Sequence, residues 1–481
     1  MFRAPRFFFL LLMALMAFTL CSQAAFSQSG DFTIVLLPDT QNEAQFYPSV
    51  FAAQTQWIAS NRSAMNIQVV LGLGDIVNDG ADNAQQQNAD AAIRNLDNAK
   101  VPYLLAIGNH DYDQANTGAA RRTDTGYEKW FGPARYAGYS YYKGGFPPGT
   151  NANFYGTFNI SGKGYLMLVL EYVPRDSSLA WAAQVVQANP DKEVIVVTHS
   201  YMFYDATRVD KCDTNDLNRD NDGDETWQKF VSQYANISTV VSGHITSVGA
   251  SRRSDLGVNG NLVNQMFSNY QTLAHGGDGW LRILTFHPAS DTIDVKTYSP
   301  YLDAFKTDAK NQFTLRWHTP APGATGGVTG RVDSADCTDL SGIKVTAGSA
   351  LATTDSAGHY SISGLAPGSY VVTASGLGWT TASHTVNVRA AYPPDVNFYL
   401  TSSGSGGGPC PLNPADPSVT ICTPANGATV PSPVHIVAGT TDLNTVSLLQ
   451  IYVDGVAKYT VNAKSLDTSL AMTNGAHRVT V

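Results

Sequence analysis

Five short polar clusters carry residue types that bind metal ions: Asp39-Thr40-Gln41, Gly74-Asp75-Ile76-Val77-Asn78, Gly108-Asn109-His110-Asp111, Thr198-His199-Ser200 and Gly243-His244-Ile245-Thr246. Together they offer carboxylate, amide and imidazole groups, a mixed oxygen and nitrogen donor set that suits manganese, iron or zinc. Each cluster alone reads as an ordinary loop, because Gly-Asp after a strand is usually a turn. A lone histidine is usually a satisfied core or surface residue. Their shared position along the chain gives them a joint meaning.

Every cluster directly follows an apolar run. The runs Phe32–Pro38, Gln68–Leu73, Tyr103–Ile107, Glu193–Val197 and Thr239–Val241 are rich in Val, Ile and Leu and read as strands. Between them, Val50–Ser60 and Ala81–Ala99 suit helices, and the Tyr-rich stretch Tyr136–Tyr155, with Pro147 and Pro148, suits an irregular loop. Alternating strands and helices over residues 30–319 predict an α/β domain. Such folds place ligands at the carboxyl ends of their strands, which is where the clusters fall.

The order Asp, Gly-Asp, Gly-Asn-His-Asp, His, Gly-His resembles the calcineurin-like metallophosphoesterases over about Asp31–Thr319. Gly-Asn-His-Asp after a strand is its most specific element. The resemblance implies a four-layer αββα sandwich with two divalent metal ions, manganese, iron or zinc, at the strand ends. The implied reaction is hydrolysis of phosphomonoesters or phosphodiesters by metal-activated hydroxide. In that pattern Asp75 bridges both ions, Asp39 and Gln41 serve the first, and Asn109, His199 and His244 complete the second. His110 stands beside the leaving group, where it donates a proton or steadies charge, and Asp111 orients that imidazole.

Two positions depart from the pattern. Gln41 stands where the family usually has the His of Asp-x-His, and Thr246 where it has the second His of Gly-His-x-His. Both belong to the first ion. An amide oxygen and a hydroxyl make that site harder and weaker, favouring manganese, magnesium or calcium, or leaving it empty. The rival reading is a degenerate, non-catalytic metal-binding surface protein whose β modules bind a ligand or carbohydrate. Retention of His110 favours chemistry, since metal binding alone does not require it. A serine hydrolase built on Ser200 lacks Gly-x-Ser-x-Gly around that residue.

Other motifs are weaker. Asp213, Asp216, Asn218, Asp220, Asp222, Gly223 and Asp224 partly imitate a calcium loop, but the twelfth place from Asn218 is Lys229, so a solvated acidic loop is expected. His275-Gly276-Gly277-Asp278-Gly279-Trp280 reads either as a flap over the site or as a turn leading into the strand Leu281–Phe286.

With 481 residues the chain exceeds one ordinary core, and a net charge of −9 provides no basic field for nucleic acid. Arg3 and Arg6, the apolar run Phe7–Leu20 and the small residues Ala24 and Ala25 read as a signal peptide over residues 1–27, so a secreted or extracellular protein is expected. The run is too short to span a bilayer, and no membrane span is expected elsewhere. Cys21 follows the bulky Leu20 and is read as part of the discarded signal rather than a lipid anchor. The remaining cysteines, Cys212, Cys337, Cys410 and Cys422, permit disulfides, with Cys410–Cys422 the preferred pair.

Beyond Pro320 the chain turns to short alternating runs of Gly, Thr, Ser, Val and Ala. Residues 326–400, with Gly330-Arg331-Val332, Asp355-Ser356-Ala357-Gly358 and Gly364-Leu365-Ala366-Pro367-Gly368-Ser369-Tyr370, resemble a carboxypeptidase regulatory-like, transthyretin-like β-sandwich. Residues 401–416 form a Gly/Ser-rich tether. Residues 417–481 resemble a bacterial immunoglobulin-like domain with an Asp454-Gly455 hairpin, and stop inside a strand short of the roughly 100 residues of that fold, so a partial domain is expected. The β modules are expected to contact a cell surface or polysaccharide, or to act as spacers, and the catalytic partner is a phosphate ester.

Overall fold

The computed structural model describes residues 30–113, 122–212, 220–246, 249–323, 325–376, 378–402, 418–440, 446 and 448–481. Residues 1–27, read from sequence as a signal peptide, together with Cys410, Asp213, Asp216, Asn218 and most of the Gly/Ser tether, lie outside them. The chain divides into two compact units, one ending at Pro320 and one beginning at Ala321.

In the first unit, apolar residues on both faces of the strands dictate burial on both sides. Strand β6 (Lys163–Val169) shows why: Tyr165, Met167 and Val169 enter one core cluster, while Leu166, Leu168 and the following Leu170 enter another. Side chains alternate across a strand, so such a run must be covered twice. Strand β7 (Glu193–Val197) repeats the device, with Ile195 and Val197 inward and Val194 and Val196 outward.

Two seven-stranded sheets result. The first runs β13-β12-β11-β1-β2-β3, with β14 also paired to β12, where β1 is Phe32–Leu37, β2 Ile67–Gly72, β3 Tyr103–Leu105, β11 Leu281–His287, β12 Thr292–Ser299, β13 Ala304–Lys306 and β14 Phe313–Arg316. The second runs β4-β5-β6-β7-β8-β10-β9, with β4 Tyr142–Phe146, β5 Asn153–Ile160, β8 Ile237–Ser242, β9 Gly249–Leu256 and β10 Leu262–Asn269. Residues of both sheets share the central core, among them Ile34, Val70, Leu104, Met167, Ile195 and Met266. Helix α1 (Gln41–Phe46) follows β1, and helices α2 (Pro48–Asn61) and α3 (Asn83–Asn98) cover the first sheet through Phe51, Ile58, Ile93 and Leu96. A further helix (Asp176–Gln187) covers the second through Leu179, Ala182 and Val186. The layers are thus αββα.

The topology aims the strand ends. Strands β1, β2 and β3 are mutually parallel, and so are β6, β7, β8 and β10. The Tyr136–Tyr155 stretch is more ordered than its composition suggests. Its residues 142–146 form β4 and pair antiparallel with β5.

The second unit is all β. Sheets β18-β15-β21 and β17-β16-β19-β20 pack around Val328, Val332, Val345, Ile362, Val372 and Phe398, with β15 Gly326–Ser334, β16 Lys344–Ala347, β17 Ala350–Thr353, β18 His359–Leu365, β19 Gly368–Ser375, β20 Ala382–Val388 and β21 Phe398–Leu400. A second sandwich pairs β22 (Val419–Thr423), β23 (Val434–Thr440) and β26 (Ser465–Leu470) in one sheet. Its other sheet holds β24 (Leu449–Val453), β25 (Val456–Val461) and β27 (Val479–Thr480). Asp454 (φ 52°) and Gly455 (φ 80°) turn the β24–β25 hairpin, the double left-handed turn that Asp-Gly favours. Cys212, Cys337 and Cys422 are disulfide-bonded. No helix among the described residues is long and apolar enough to cross a membrane.

Candidate metal centre

The polar clusters meet where parallel strands of both sheets end. Asp39 follows β1, Asp75 follows β2, Asn109 and His110 follow β3, His199 follows β7 and His244 follows β8. Asp39 (φ 35°), Asp75 (φ 51°) and His244 (φ 78°) all sit in left-handed backbone, which costs about 1–3 kcal/mol each for such residues and persists where surrounding structure imposes it. The flanking glycines are required by crowding. A β-carbon would stand 2.2 Å from Asp75 Oδ1 at Gly108, 2.2 Å from Asp39 Oδ2 at Gly243 and 2.4 Å from His199 Nδ1 at Gly74. Gly-Asp, Gly-Asn-His-Asp and Gly-His therefore encode a close approach of side chains to the neighbouring loop.

His199 is the hub. Its ring is fully buried, and Nδ1 donates to the Leu73 carbonyl at 2.7 Å, which leaves Nε2 to face the cluster. Asn109 Oδ1, Asp75 Oδ2 and His244 Nδ1 each lie 3.2 Å from that Nε2. Donor atoms of Asp75, His199 and His244 all fall within 4.8 Å of one another, as metal ligation demands. A backbone carbonyl fixing the imidazole tautomer is the usual support for a ligating histidine.

Asp39 completes one side. Its Oδ1 accepts the His244 backbone N–H at 3.0 Å, while its buried Oδ2 has no hydrogen-bond partner. Gln41 is also buried. Its Nε2 donates to Asn78 Oδ1 at 3.3 Å, and its Oε1 likewise has no partner. Buried oxygens without partners are costly, and a cation answers both. The residues present therefore fit divalent metal.

The charges agree with that fit. Burial pushes Asp39 well above the usual carboxylate range, and Asp75 adds to the rise against the opposing pull of His199. Burial also acts on Asp75, but His199, His110 and His244 outweigh it and bring the carboxyl down to about 2. Burial and the neighbouring His199 drive the His244 ring down to about 3, so it stays neutral and able to ligate.

His110 is half-buried, and its Nδ1 donates to the Asn78 carbonyl at 2.8 Å. That contact replaces the expected one with Asp111. Asp111 instead spends its oxygens on backbone: Oδ1 accepts Ile76 N–H at 2.8 Å and Val77 N–H at 3.1 Å, and Oδ2 accepts Gly108 N–H at 2.8 Å. It ties the loop bearing Asp75 to the loop bearing His110, and orients the imidazole only through them. Asp75 Oδ1 in turn accepts the His110 backbone N–H at 2.9 Å.

Thr246 is exposed, and its backbone carbonyl accepts from Thr272 Oγ1 at 3.4 Å. Two residues unassigned from sequence complete the wall. Asn78 holds both Gln41 and His110. The Tyr172 ring, 5% exposed, lies 5.7 Å from the His199 ring and 5.0 Å from that of His244. Asn78 lay inside a recognised cluster, whereas Tyr172 follows β6, a strand with no polar signature after it. The acidic stretch is structural in its described part: Asp222 caps a helix through Glu225 N–H at 2.8 Å, and Asp220 pairs with Arg122 at 2.8 Å.

Comparison with known proteins gives this arrangement a family. Residues 32–247 match the family model described as calcineurin-like phosphoesterase, residues 327–401 that of the carboxypeptidase regulatory-like domain and residues 417–481 that of the bacterial Ig domain. The uncharacterized protein YvnB of Bacillus subtilis (strain 168) is 34% identical over 296 residues, covering 59% of this chain. The match spans only 21% of that relative's length. Among solved structures, a dimetal phosphatase from Danio rerio aligns over 60% of this chain and 99% of its own at 12% identity and a TM-score of 0.38. A purple acid phosphatase from yellow lupin aligns over 60% of this chain and 54% of its own at 14% identity and a TM-score of 0.39. The first 320 residues thus hold a calcineurin-like phosphoesterase domain, with a carboxypeptidase regulatory-like domain and a bacterial Ig domain after it.

Proposed function

We propose that the protein is an exported phosphoesterase that hydrolyses phosphomonoesters or phosphodiesters at a divalent metal centre. The observation that carries this reading is the convergence of Asp75, Asn109 and His244 on His199 Nε2, beside the unpartnered oxygens of Asp39 and Gln41. In this reading Asp75 would serve two ions, Asp39 and Gln41 one of them, and Asn109, His199 and His244 the other. Divalent ions held there supply Lewis acidity toward the phosphoryl oxygens and hydroxide near neutral pH.

The remaining work falls to side chains of the chain itself. With Nδ1 committed to the Asn78 carbonyl, His110 presents Nε2 as its free nitrogen, the atom suited to hand a proton to a leaving oxygen. Asp111 holds the two loops in register, and Tyr172 screens the two histidines from water. Gln41 and exposed Thr246 leave one ion with weaker donors, which favours manganese, magnesium or calcium there. Export is supported by the leader-like N-terminus and by disulfides at Cys212, Cys337 and Cys422. The β modules serve surface or polysaccharide attachment in this reading.

Replacing His110 with Ala tests the assignment. Turnover of a phosphate ester is expected to fall about 100- to 10,000-fold while metal content stays intact. An unchanged rate would remove His110 from the chemistry.

A further inference from the structure

What an amide offers a metal ion depends on which of its two ends faces the ion. The oxygen carries lone pairs and ligates, whereas the NH2 group carries only hydrogens and repels a cation. A glutamine is therefore a dependable ligand only where a partner fixes the rotation of its amide. Gln41 opens helix α1 and is 3% exposed, so water does not supply that partner.

The contact that fixes it is with Asn78. Gln41 Nε2 donates to Asn78 Oδ1 at 3.3 Å, and among the described residues Gln41 Oε1 has no hydrogen-bond partner. With its nitrogen committed, the amide has its oxygen left to give. The reverse pairing, with Asn78 donating, would consume Oε1 and offer the centre an N–H group instead. The direction of one side-chain hydrogen bond thus decides whether position 41 attracts or repels a cation.

Asn78 is built to hold that direction, because its backbone is tied on both sides. Its N–H donates to Gln85 Oε1 at 2.9 Å, and the Asp79 N–H shares the same oxygen at 3.0 Å. Gln85 Nε2 donates in turn to Asp82 Oδ2 at 3.1 Å, while Asp82 Oδ1 caps α3 through the Ala84 N–H at 2.8 Å. The Asn78 carbonyl accepts His110 Nδ1 at 2.8 Å. Asp82, Gln85, Asn78 and Gln41 therefore form one line of hydrogen bonds from the start of α3 to the metal centre. Side-chain amides whose far ends are held in this way keep a ligand aimed, as the outer partners of metal ligands do.

We infer that Asn78 is the positioning residue that makes Gln41 an oxygen ligand, and with it makes the first metal position a site for hard divalent ions such as manganese. The inference rests on the two-ion assignment of the proposed function, and not on turnover. Two roles meet in Asn78 and they are separable. Replacing its side chain leaves the backbone contacts with Gln85 and His110 in place, so an effect through Gln41 is distinguishable from one through His110.

The test titrates the metal-free full chain with manganese, following the free ion by electron paramagnetic resonance. The chains compared are the wild type, Gln41→Leu, Asn78→Leu, Asn78→Asp and the double variant Gln41→Leu with Asn78→Leu. Gln41→Leu marks the binding step that belongs to the first position. Asn78→Leu is expected to weaken that same step about 10-fold or more, the cost of removing a support behind a ligand, and to leave the other step unchanged. Asn78→Asp keeps an acceptor for Nε2 and is expected to retain the step. In the double variant Asn78→Leu is expected to add nothing to the loss from Gln41→Leu, since two residues acting through one contact are coupled. An undiminished step in Asn78→Leu, an equal loss in Asn78→Asp, a further loss in the double variant or a weakening of both steps alike would overturn the role. A wild type with no step sensitive to Gln41→Leu overturns it as well. A chain that behaves as expected here but hydrolyses no ester loses the phosphoesterase reading and keeps this one.

Discussion

A single methyl group at position 108 would lie 2.2 Å from Asp75 Oδ1 and would have to displace either that carboxylate or the His110 loop. Gly108→Ala is accordingly expected to lower metal affinity 10-fold or more, an effect of the size seen when the supports of a ligating group are disturbed. Titration of the apoprotein with manganese reads this directly, and wild-type affinity in the variant would show that the loop yields freely. At this scale much was legible beforehand. Asp39, Asp75, Asn109, His199 and His244 announce themselves by type and by their place after apolar runs, and the fold brings them together. Asp111 and Thr246 were read less well, because sequence spacing reveals neither that a carboxylate will turn back to cap three backbone N–H groups nor that a hydroxyl will face solvent. Tyr172 carried no signal, since an aromatic after a strand is usually core.

At the scale of elements, the outer strands of the second sheet are held by a buried ionic knot. Arg208 is 1% exposed, pairs with Asp255, and takes a further hydrogen bond from its Nε to Gln265 Oε1 at 2.8 Å. Asp255 also receives Arg253 Nε at 2.7 Å and Gln265 Nε2 at 2.7 Å. Burial acts to raise the Asp255 carboxyl, but Arg253 and Arg208 outweigh it and hold it at about 2. A folded pKa below the unfolded value of about 3.9 means stability present above that pH and lost as pH falls through about 2. Asp255→Asn, which leaves buried Arg208 only the longer ion pair with Asp224 at 3.6 Å, is expected to destabilise the first unit by about 3 kcal/mol near neutral pH, with the gap to the wild type narrowing between pH 4 and 2. Urea denaturation at a series of pH values reads both features, and a gap independent of pH would separate Asp255 from the acid response. This knot also explains what the sequence concealed. Strand β10 is buried throughout yet contains Asn264 and Gln265, whose amides bond Arg316, Trp317 and Asp255. Polar residues of that kind break the apolar run by which β1, β2 and β7 were recognised, so β10 is not among the strands read from the sequence.

At the scale of the whole molecule, separate cores mark separate duties. The two clusters of the first unit enclose both sheets and their helices, and each β-sandwich of the second unit has its own apolar centre, around Val328 and Phe398 in one and Ile436 and Ile451 in the other. The change in composition after Pro320 made that division readable, since alternating short strands and Asp-Gly turns cannot continue an α/β pattern. All the groups assigned to metal and proton transfer come from the first unit. The most direct test is the metal content of the purified full chain by mass spectrometry, paired with hydrolysis of a phosphomonoester and a phosphodiester before and after manganese is added. Expected are one to two divalent ions per chain, lost on Asp75→Asn, and manganese-dependent turnover of at least one ester. A chain that binds a metal ion at Asp75 but hydrolyses neither ester would contradict the phosphoesterase reading and leave a metal-binding surface protein in its place.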